Sequence, residues 1–231
     1  MIHNENILNA ILQVMKRCDI RSFPVDCFEL IKEFGYSIKK YSELPEKKRI
    51  ACNELSEDAA TLKNTIFYND DMPHSRIRFS LLHELGHIVL STEDEVSANT
   101  FASHLLAPRI VIHYSNCKNV VDVMKIFDLS EQAANYAFED YRRWHRENVI
   151  KGMNETDQKL YDHFYNSNLE LFVWKIQKCD FCYNEYVYNK EGICNTCRLF
   201  DIRKRYTPTI SHDIREHDLD ILRGNYLYGE H

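Results

Sequence analysis

His83, Glu84 and His87 form an H-E-x-x-H pattern inside a stretch of helical periodicity. Side chains four residues apart on a helix project from one face, so the two imidazoles can bind a single zinc ion. Glu84 is adjacent to that face and can accept a proton from an attacking water molecule. The pattern therefore predicts a zinc-dependent hydrolytic site with Glu84 as its catalytic base.

The helix that carries this pattern is predicted from apolar residues at helical spacing. These residues are Ile77, Leu81, Leu82, Leu85, Ile88 and Val89. Gly86 costs about 1 kcal/mol relative to alanine within a helix. We therefore expect Gly86 to allow the close approach of another backbone or of the metal site.

A catalytic zinc ion takes three protein ligands and leaves one position for water. The segment after the pattern predicts a second helix, which Ser91 or Thr92 caps and Pro108 ends. On this helix Glu95 shares a face with small residues that allow tight packing against the first helix. Asn99, one turn further on, is placed to hold a zinc-binding histidine by its other ring nitrogen. Glu95 is therefore the third ligand that the residues favour.

Three further side chains compete with Glu95 for the place of third ligand. Glu93 and Asp94 suit a different role, as acidic groups that stabilise the start of the helix. His104 falls opposite Glu95 on the helical wheel and is expected at the surface or on the back face. The longer metzincin pattern is absent, because Leu90 and Glu93 stand where that pattern has glycine and histidine.

Together these residues resemble the ImmA/IrrE family of bacterial metallopeptidases. The residues that carry the likeness are His83-Glu84-Leu85-Gly86-His87 and Glu95-x-x-Ala98-Asn99-x-Phe101-Ala102-x-x-Leu105-Leu106-x-Pro108, with Thr65-Ile66-Phe67-Tyr68-Asn69, Arg78-Phe79-Ser80-Leu81-Leu82, Phe23-Pro24-Val25 and Phe34-Gly35-Tyr36-Ser37-Ile38 before them. The likeness covers residues 7–145 and departs from the family at Ala107, where many members have methionine.

The resemblance implies a gluzincin-like zinc site with Glu95 as the third ligand. It also implies intracellular proteolysis of a regulator, typically a repressor of a phage or integrative element, or of a stress response. A strand at Thr65 to Tyr68 is expected, on the same resemblance, to pair with the backbone of an extended substrate. Tyr68, His113 and Tyr114 are candidates for an additional oxyanion donor.

The composition indicates a folded domain of ordinary size plus a smaller unit. The chain has 231 residues, of which 44% are hydrophobic, enough for a core and inconsistent with general disorder. Only six glycines and five prolines argue against a loop-rich or all-β design. The formal net charge of −6 gives no overall basic surface for nucleic acid.

The sequence also argues against a membrane protein or a secreted one. No apolar run approaches the ~20 residues that span a bilayer. The first residues lack a basic start, and the apolar stretch that follows is interrupted by Asn9 and Gln13, as in an amphipathic helix. The expected location is therefore the cytoplasm, with no membrane partner.

The predicted fold class is α+β, with a mainly helical zincin-like domain, a small antiparallel sheet and a small C-terminal zinc-ribbon-like module. Helices at 5–17 and 24–34 precede strand candidates at 36–41, 49–53 and 61–68. The helices of the zinc pattern follow these strands.

Residues 120–146 predict a helical hairpin, with Ser130 as the cap of its second helix. Arg142, Arg143 and Arg146 at its end allow its interpretation as a DNA-binding helix-turn-helix. The acidic start of the second helix favours a hairpin that packs over the catalytic unit, with basic residues suited to a helix C-terminus. Nucleic acid is therefore a less favoured partner than protein.

A second metal site is predicted from Cys179-x-x-Cys182 and Cys194-x-x-Cys197, which are separated by eleven residues as in zinc ribbons. Four thiolates would close a structural zinc site, and iron fits the same ligands. Tyr183 and Arg198 stand where such turns often carry glycine. Because a closed site has no position for a substrate, we expect this module to serve recognition.

The chain is therefore predicted to contain four segments. They are a metallopeptidase domain at 1–150 that includes the helical hairpin, a helical linker at 151–175, a four-cysteine zinc-ribbon-like module at 176–206 and a C-terminal tail at 207–231.

The predicted function is that of a zinc-dependent endopeptidase that hydrolyses a peptide bond in an intracellular regulatory protein. By the family resemblance, the expected substrate is a helix-turn-helix repressor or a similar regulator. The alternative is a non-catalytic, zinc-stabilised module that binds DNA or protein. Glu84 favours the enzyme, because a purely structural zinc site has no need of a base beside it.

Overall fold

Residues 2–188 and 193–199 are described by the computed structural model, and they belong to two units that divide between Lys175 and Ile176. The predicted tail at 207–231 lies outside the described residues, as do 200–206 of the predicted four-cysteine module. Within the described part of the chain, no helix combines the length and the apolar character needed to cross a membrane.

Helices make up most of the first unit, which confirms the predicted fold class. They are α1 (Ile2–Arg17), α2 (Cys27–Glu33), α3 (Glu46–Leu55), α4 (His74–Leu90), α5 (Glu95–Leu106), α6 (Arg109–Tyr114), α7 (Val120–Phe127), α8 (Glu131–Lys151) and α9 (Glu155–Phe164). The helix α4 packs along α5, and α1 contacts both of them. The zinc pattern therefore lies on a helix at the centre of the unit.

A three-stranded sheet lies beside α4. Its strands are β1 (Ser37–Lys40), β2 (Ala59–Leu62) and β3 (Thr65–Tyr68), in the spatial order β1-β3-β2. The strand β3 pairs antiparallel with β2 but parallel with β1, so the sheet is mixed rather than fully antiparallel. The parallel pair arises because α3 lies between β1 and the β2–β3 hairpin and reverses the chain direction.

Two strand predictions are wrong in detail. The segment 49–53 lies inside α3, where Cys52 is the buried residue of an otherwise exposed, charged helix. Its lysines, glutamates and arginine favour a helix once one side is exposed to solvent. The strand predicted at 61–68 is two strands, because Lys63 adopts a left-handed conformation (φ 54°) and turns the chain.

The helices α7 and α8 form the predicted helical hairpin, and α8 packs against α5 and α6. Ser130 caps α8 by accepting a hydrogen bond from the Ala133 N–H at 3.3 Å. The buried Arg78 of α4 donates to the carbonyl oxygens of Phe127 at 2.9 Å and Val25 at 3.2 Å. This guanidinium attaches the end of α7 to the helix of the zinc pattern.

The residues after α8 pack within the first unit. The helix α9 contacts α1 and α6, and the indole N–H of Trp144 donates to a carboxylate oxygen of the buried Asp157 at 2.7 Å. A short hairpin of β4 (Tyr165–Asn166) and β5 (Leu171–Phe172) follows.

The second unit begins with β6 (Ile176–Lys178), which pairs antiparallel with β7 (Glu185–Val187). The turn between these strands carries Cys179 and Cys182, and a helical turn at 195–199 follows Cys194. Cys179 and Cys194 therefore adjoin short elements, whereas Cys182 lies in the turn and Cys197 within the helical turn.

Candidate metal centre

The close packing of α4 on α5 positions the candidate metal centre. A Cβ atom at Gly86 would lie 3.1 Å from the ring of Phe101 and 3.2 Å from the backbone of Ala98. A larger residue here would require α5 to move by a few tenths of an ångström, so Gly86 favours the close approach of α5 to α4. The approach brings Glu95, at the first turn of α5, to the histidine face of α4.

The three residues predicted as ligands converge. His83 Nε2 lies 3.0 Å from His87 Nε2 and 3.1 Å from Glu95 Oε2, and His87 Nε2 lies 3.4 Å from Glu95 Oε1. One donor atom from each residue lies within 4.8 Å of the other two. The imidazoles are half-buried, whereas the Glu95 side chain is 72% exposed, so the group is open to solvent on the carboxylate side.

The outer ring nitrogens of both histidines are held by oxygen atoms. His83 Nδ1 lies 2.9 Å from the side-chain oxygen of Asn99, and His87 Nδ1 lies 2.7 Å from the carbonyl oxygen of Thr92. Because these oxygens can only accept hydrogen bonds, the neutral form of each ring places its proton on Nδ1 and a lone pair on Nε2.

Two lone pairs and a carboxylate at 3.0–3.4 Å repel one another unless a cation lies among them. Two neutral imidazoles and one carboxylate are also the ligand set of many catalytic zinc sites. The residues present therefore fit a divalent metal ion.

The start of α5 corrects the predicted cap. Neither Ser91 nor Thr92 caps the helix, because the chain needs both residues to turn out of α4, with Ser91 left-handed (φ 48°). Asp94 is the cap, and its carboxylate accepts a hydrogen bond from the Ser97 N–H at 2.9 Å. This bond gives Asp94 the helix-stabilising role expected of it rather than that of a ligand.

Glu93 and His104 do not join the group of ligand atoms either. Glu93 lines the same cleft. His104 lies on the far side of α5, 3.9 Å from the carboxylate of Asp140. Burial lowers the pKa of His104 to about 4, with Arg109 adding to the effect, so this imidazole is neutral at neutral pH.

Thr61, a residue that no sequence pattern singles out, contacts the predicted base. This threonine of β2 donates a hydrogen bond from Oγ1 to Glu84 Oε2 at 2.6 Å. This hydrogen bond occupies Oε2, so Oε1 of Glu84 is the oxygen that can accept a proton. No local signal could have predicted it, because the role of Thr61 depends on β2 lying across α4.

Glu84 and the three candidate ligands line a cleft of about 770 Å³. The strand β2 and the end of α3 form the opposite wall. None of the three candidates for an oxyanion donor lines this cleft: Tyr68 is buried against Phe28, and His113 and Tyr114 lie on α6 beside other aromatic rings. The alternation of side chains along β3 turns Tyr68 to the same side as the buried Ile66.

Residues 45–139 match a family model described as the IrrE N-terminal-like domain, a peptidase family. This segment is similar to IrrE N-terminal-like domains. The match runs from α3 to the first part of α8, and so includes the whole metal centre. It confirms the resemblance to the ImmA/IrrE family predicted from the zinc pattern. No curated protein matches the chain.

The four predicted cysteines of the second unit also converge. The sulfur atoms of Cys179, Cys182, Cys194 and Cys197 all lie within 4.8 Å of one another, and the first of these side chains is fully buried. The Cys194 N–H donates to Cys179 Sγ at 3.4 Å and lowers the pKa of that thiol to about 6. Hydrogen bonding with Cys182 and Cys194 raises the pKa of Cys197 to about 12. Four thiolates this close together would repel one another unless a cation lies among them, so this group also fits a metal ion.

Proposed function

We propose that this protein is a zinc-dependent endopeptidase in which His83, His87 and Glu95 hold the zinc ion and Glu84 is the catalytic base. The convergence of two Nε2 lone pairs and a carboxylate on one point carries this proposal. Glu84 lies beside that group, lines the same cleft and has one oxygen available. A structural metal site would not need this fourth side chain.

When bound, zinc supplies a Lewis acid that acidifies a water molecule and polarises the substrate carbonyl. Glu84 Oε1 accepts the proton of the attacking water, while Thr61 fixes Oε2. Glu84 then delivers that proton to the leaving amine nitrogen. Asn99 and the carbonyl of Thr92 keep the two imidazole rings oriented throughout.

The substrate backbone is proposed to pair with β2 rather than with β3. The expectation for Thr65 to Tyr68 is wrong, because β3 is the central strand and is paired on both sides. The strand β2 pairs only with β3 among the described residues, and Ala59, Ala60, Thr61 and Leu62 line the cleft. An extended polypeptide can therefore add to the outer edge of β2 by main-chain hydrogen bonds.

The proposed substrate is a regulatory protein in the cytoplasm, such as a helix-turn-helix repressor of a mobile element. The match of residues 45–139 to the IrrE N-terminal-like family model supports this choice. An extended cleft beside an edge strand also suits a protein segment better than a small molecule.

The direct test uses the zinc-loaded chain and the helix-turn-helix regulator encoded nearest to its gene. Fragments are identified by mass spectrometry for the parent protein and for Glu84→Gln. We expect the parent to cut the regulator and Glu84→Gln to retain zinc but lose cleavage by at least about 10²-fold. Cleavage by Glu84→Gln at the parental rate would disprove the mechanism.

The four-cysteine module is proposed to bind one structural zinc ion and to recognise the substrate or another protein. Phe181 and Tyr183, on the turn that carries the first cysteine pair, are 68% and 76% exposed. A metal-stabilised turn that exposes two aromatic rings is suited to contact with a partner. In this proposal the module serves recognition and the first unit serves catalysis. In the non-catalytic alternative, both metal sites would be structural.

A further inference from the structure

A second groove adjoins the catalytic cleft in the first unit. It has a volume of about 680 Å³ and lies between α4, α5 and the first half of α8. Phe79, Ser80 and Asn99 line both cavities, and the ring of Phe79 lies 6.3 Å from the imidazole of His83. A polypeptide bound at the metal centre therefore has direct access to the groove.

The lining of the groove is mainly apolar and carries little uncompensated charge. Phe79, Leu106 and Leu129 contribute apolar surface to it. The charged side chains in the lining are Asp58 and Arg76, which bind each other through two hydrogen bonds of 2.7 and 3.0 Å. A neutral apolar group can therefore enter without leaving a buried charge unpaired.

Small residues of α8 create the space. Ala133 and Ala137, one turn apart and half-buried, line the groove, whereas Ala134 is fully buried in the packing of the helix. Tyr136 stands at the rim and is 65% exposed. An exposed aromatic ring beside an apolar cavity next to a catalytic cleft indicates a surface that a ligand covers.

We propose that this groove binds one large apolar side chain of the substrate, at a fixed position relative to the cleaved bond. The proposal rests on the proposed peptidase function and assigns it a specificity: a leucine, methionine or aromatic residue is selected over small or charged ones. Such side chains are usually buried in folded proteins. The preferred substrate segment is therefore one that has become exposed or unfolded.

Binding to the groove can be measured without catalysis. The metal-loaded full chain, with labelled alanine methyl groups, is titrated with N-acetyl-phenylalanine amide and, separately, with N-acetyl-aspartate amide. The methyl resonances of Ala133 and Ala137 should shift with the first compound only, whereas exposed Ala51 of α3 should not shift. Equal shifts with both compounds, or none at the two groove alanines, would overturn the proposal.

Selectivity is tested with a library of proteome-derived peptides and mass spectrometric mapping of the cleaved bonds. The parent should prefer a large apolar residue at one position by roughly 10- to 100-fold over alanine. Ala137→Leu and Ala133→Leu each fill the groove and should shift that preference towards small residues. The matched variant Ala51→Leu adds the same side chain to an exposed helix position and should preserve the parental preference.

The two proposals fail in different ways. If the parent cuts a regulator but shows no apolar preference at any position, the groove assignment is wrong and the peptidase assignment stands. If the parent cuts neither the regulator nor any peptide, the peptidase assignment fails, and the titration alone decides whether the groove takes apolar side chains.

Discussion

Thr61 Oγ1 lies 2.6 Å from Glu84 Oε2, so the strand β2 holds the carboxylate that we propose as the catalytic base on the neighbouring helix. The same strand offers its outer edge to the proposed substrate. Through this contact, the strand proposed to position the peptide also positions the carboxylate proposed to act on it. Thr61 is therefore a positioning residue.

The variant Thr61→Val removes the hydrogen bond and keeps the shape of the side chain. Hydrogen bonds to charged groups contribute about 1.5–3 kcal/mol, so we expect kcat to fall roughly 10- to 100-fold with little change in KM. Thr61→Ser keeps the hydroxyl and should restore most of kcat. Equal losses in the two variants would show that Thr61 acts through packing rather than through its hydroxyl.

Glu95→Ala should lower metal affinity at the first site while the four-cysteine site keeps its metal. Its carboxylate is one of the three proposed ligands, so the metal content of the purified chain, measured by elemental analysis, should fall. Glu93→Ala is the matched control, because Glu93 lines the same cleft and lies two residues away without joining the ligand atoms. Full metal retention in Glu95→Ala would remove Glu95 from the ligand set.

Tyr183 adopts a left-handed conformation (φ 58°) in the turn after Cys182, where glycine would carry no steric penalty. The left-handed conformation costs about 1–2 kcal/mol for a residue with a Cβ atom. Tyr183→Gly should therefore stabilise the second unit by about 1 kcal/mol and slow metal loss to a chelator. Phe181→Gly, at a similarly exposed position without a positive φ, should bring no such gain. A faster loss of metal from Tyr183→Gly would contradict the assignment of strain.

His104 should make the stability of the first unit depend on pH. Its pKa falls from 6.5 to about 4 on folding because burial disfavours the imidazolium, with Arg109 opposing and Asp140 favouring the charged form. The unfolded chain therefore binds the proton more tightly than the folded chain. The free energy of unfolding is unaffected by His104 above pH 6.5 and decreases as the pH falls from there towards 4.

The size of this effect is about 3 kcal/mol at most. We expect denaturant unfolding to show a weaker dependence on pH in His104→Leu than in the parent, between pH 7 and pH 4.5. Asp140→Asn tests the neighbouring carboxylate, whose loss should lower the pKa of His104 further and extend the parental dependence to lower pH. Identical pH dependence in the parent and His104→Leu would exclude His104 as the source.

Much of the metal centre could be predicted from local sequence. The spacing of His83 and His87 places both on one face of any helix, and Glu95 follows at the start of the next helix. Asn99 lies one turn beyond Glu95 and was predicted by the same periodicity. The cysteine pairs are equally local, because a short turn brings two residues at that spacing together.

Two predictions from local sequence are wrong because the polar pattern of the segment is compatible with more than one secondary structure. The sequence predicts a strand at the charged segment 49–53, yet this segment forms part of α3 with Cys52 as its buried residue. The predicted strand at 61–68 contains a turn at Lys63, a residue type that rarely takes a positive φ.

The sequence by itself determined the chemistry of this protein: two imidazoles, a base, a carboxylate and four thiols at spacings that helices and turns convert directly into clusters. Only the tertiary structure decided that Thr61 holds Glu84 and that the carbonyl of Thr92 orients His87. It also decided that β2 is an edge strand among the described residues and that an apolar groove continues from the cleft. These features depend on which elements lie side by side, and on backbone groups that every residue carries. The spacing of residues along the chain therefore does not predict these features.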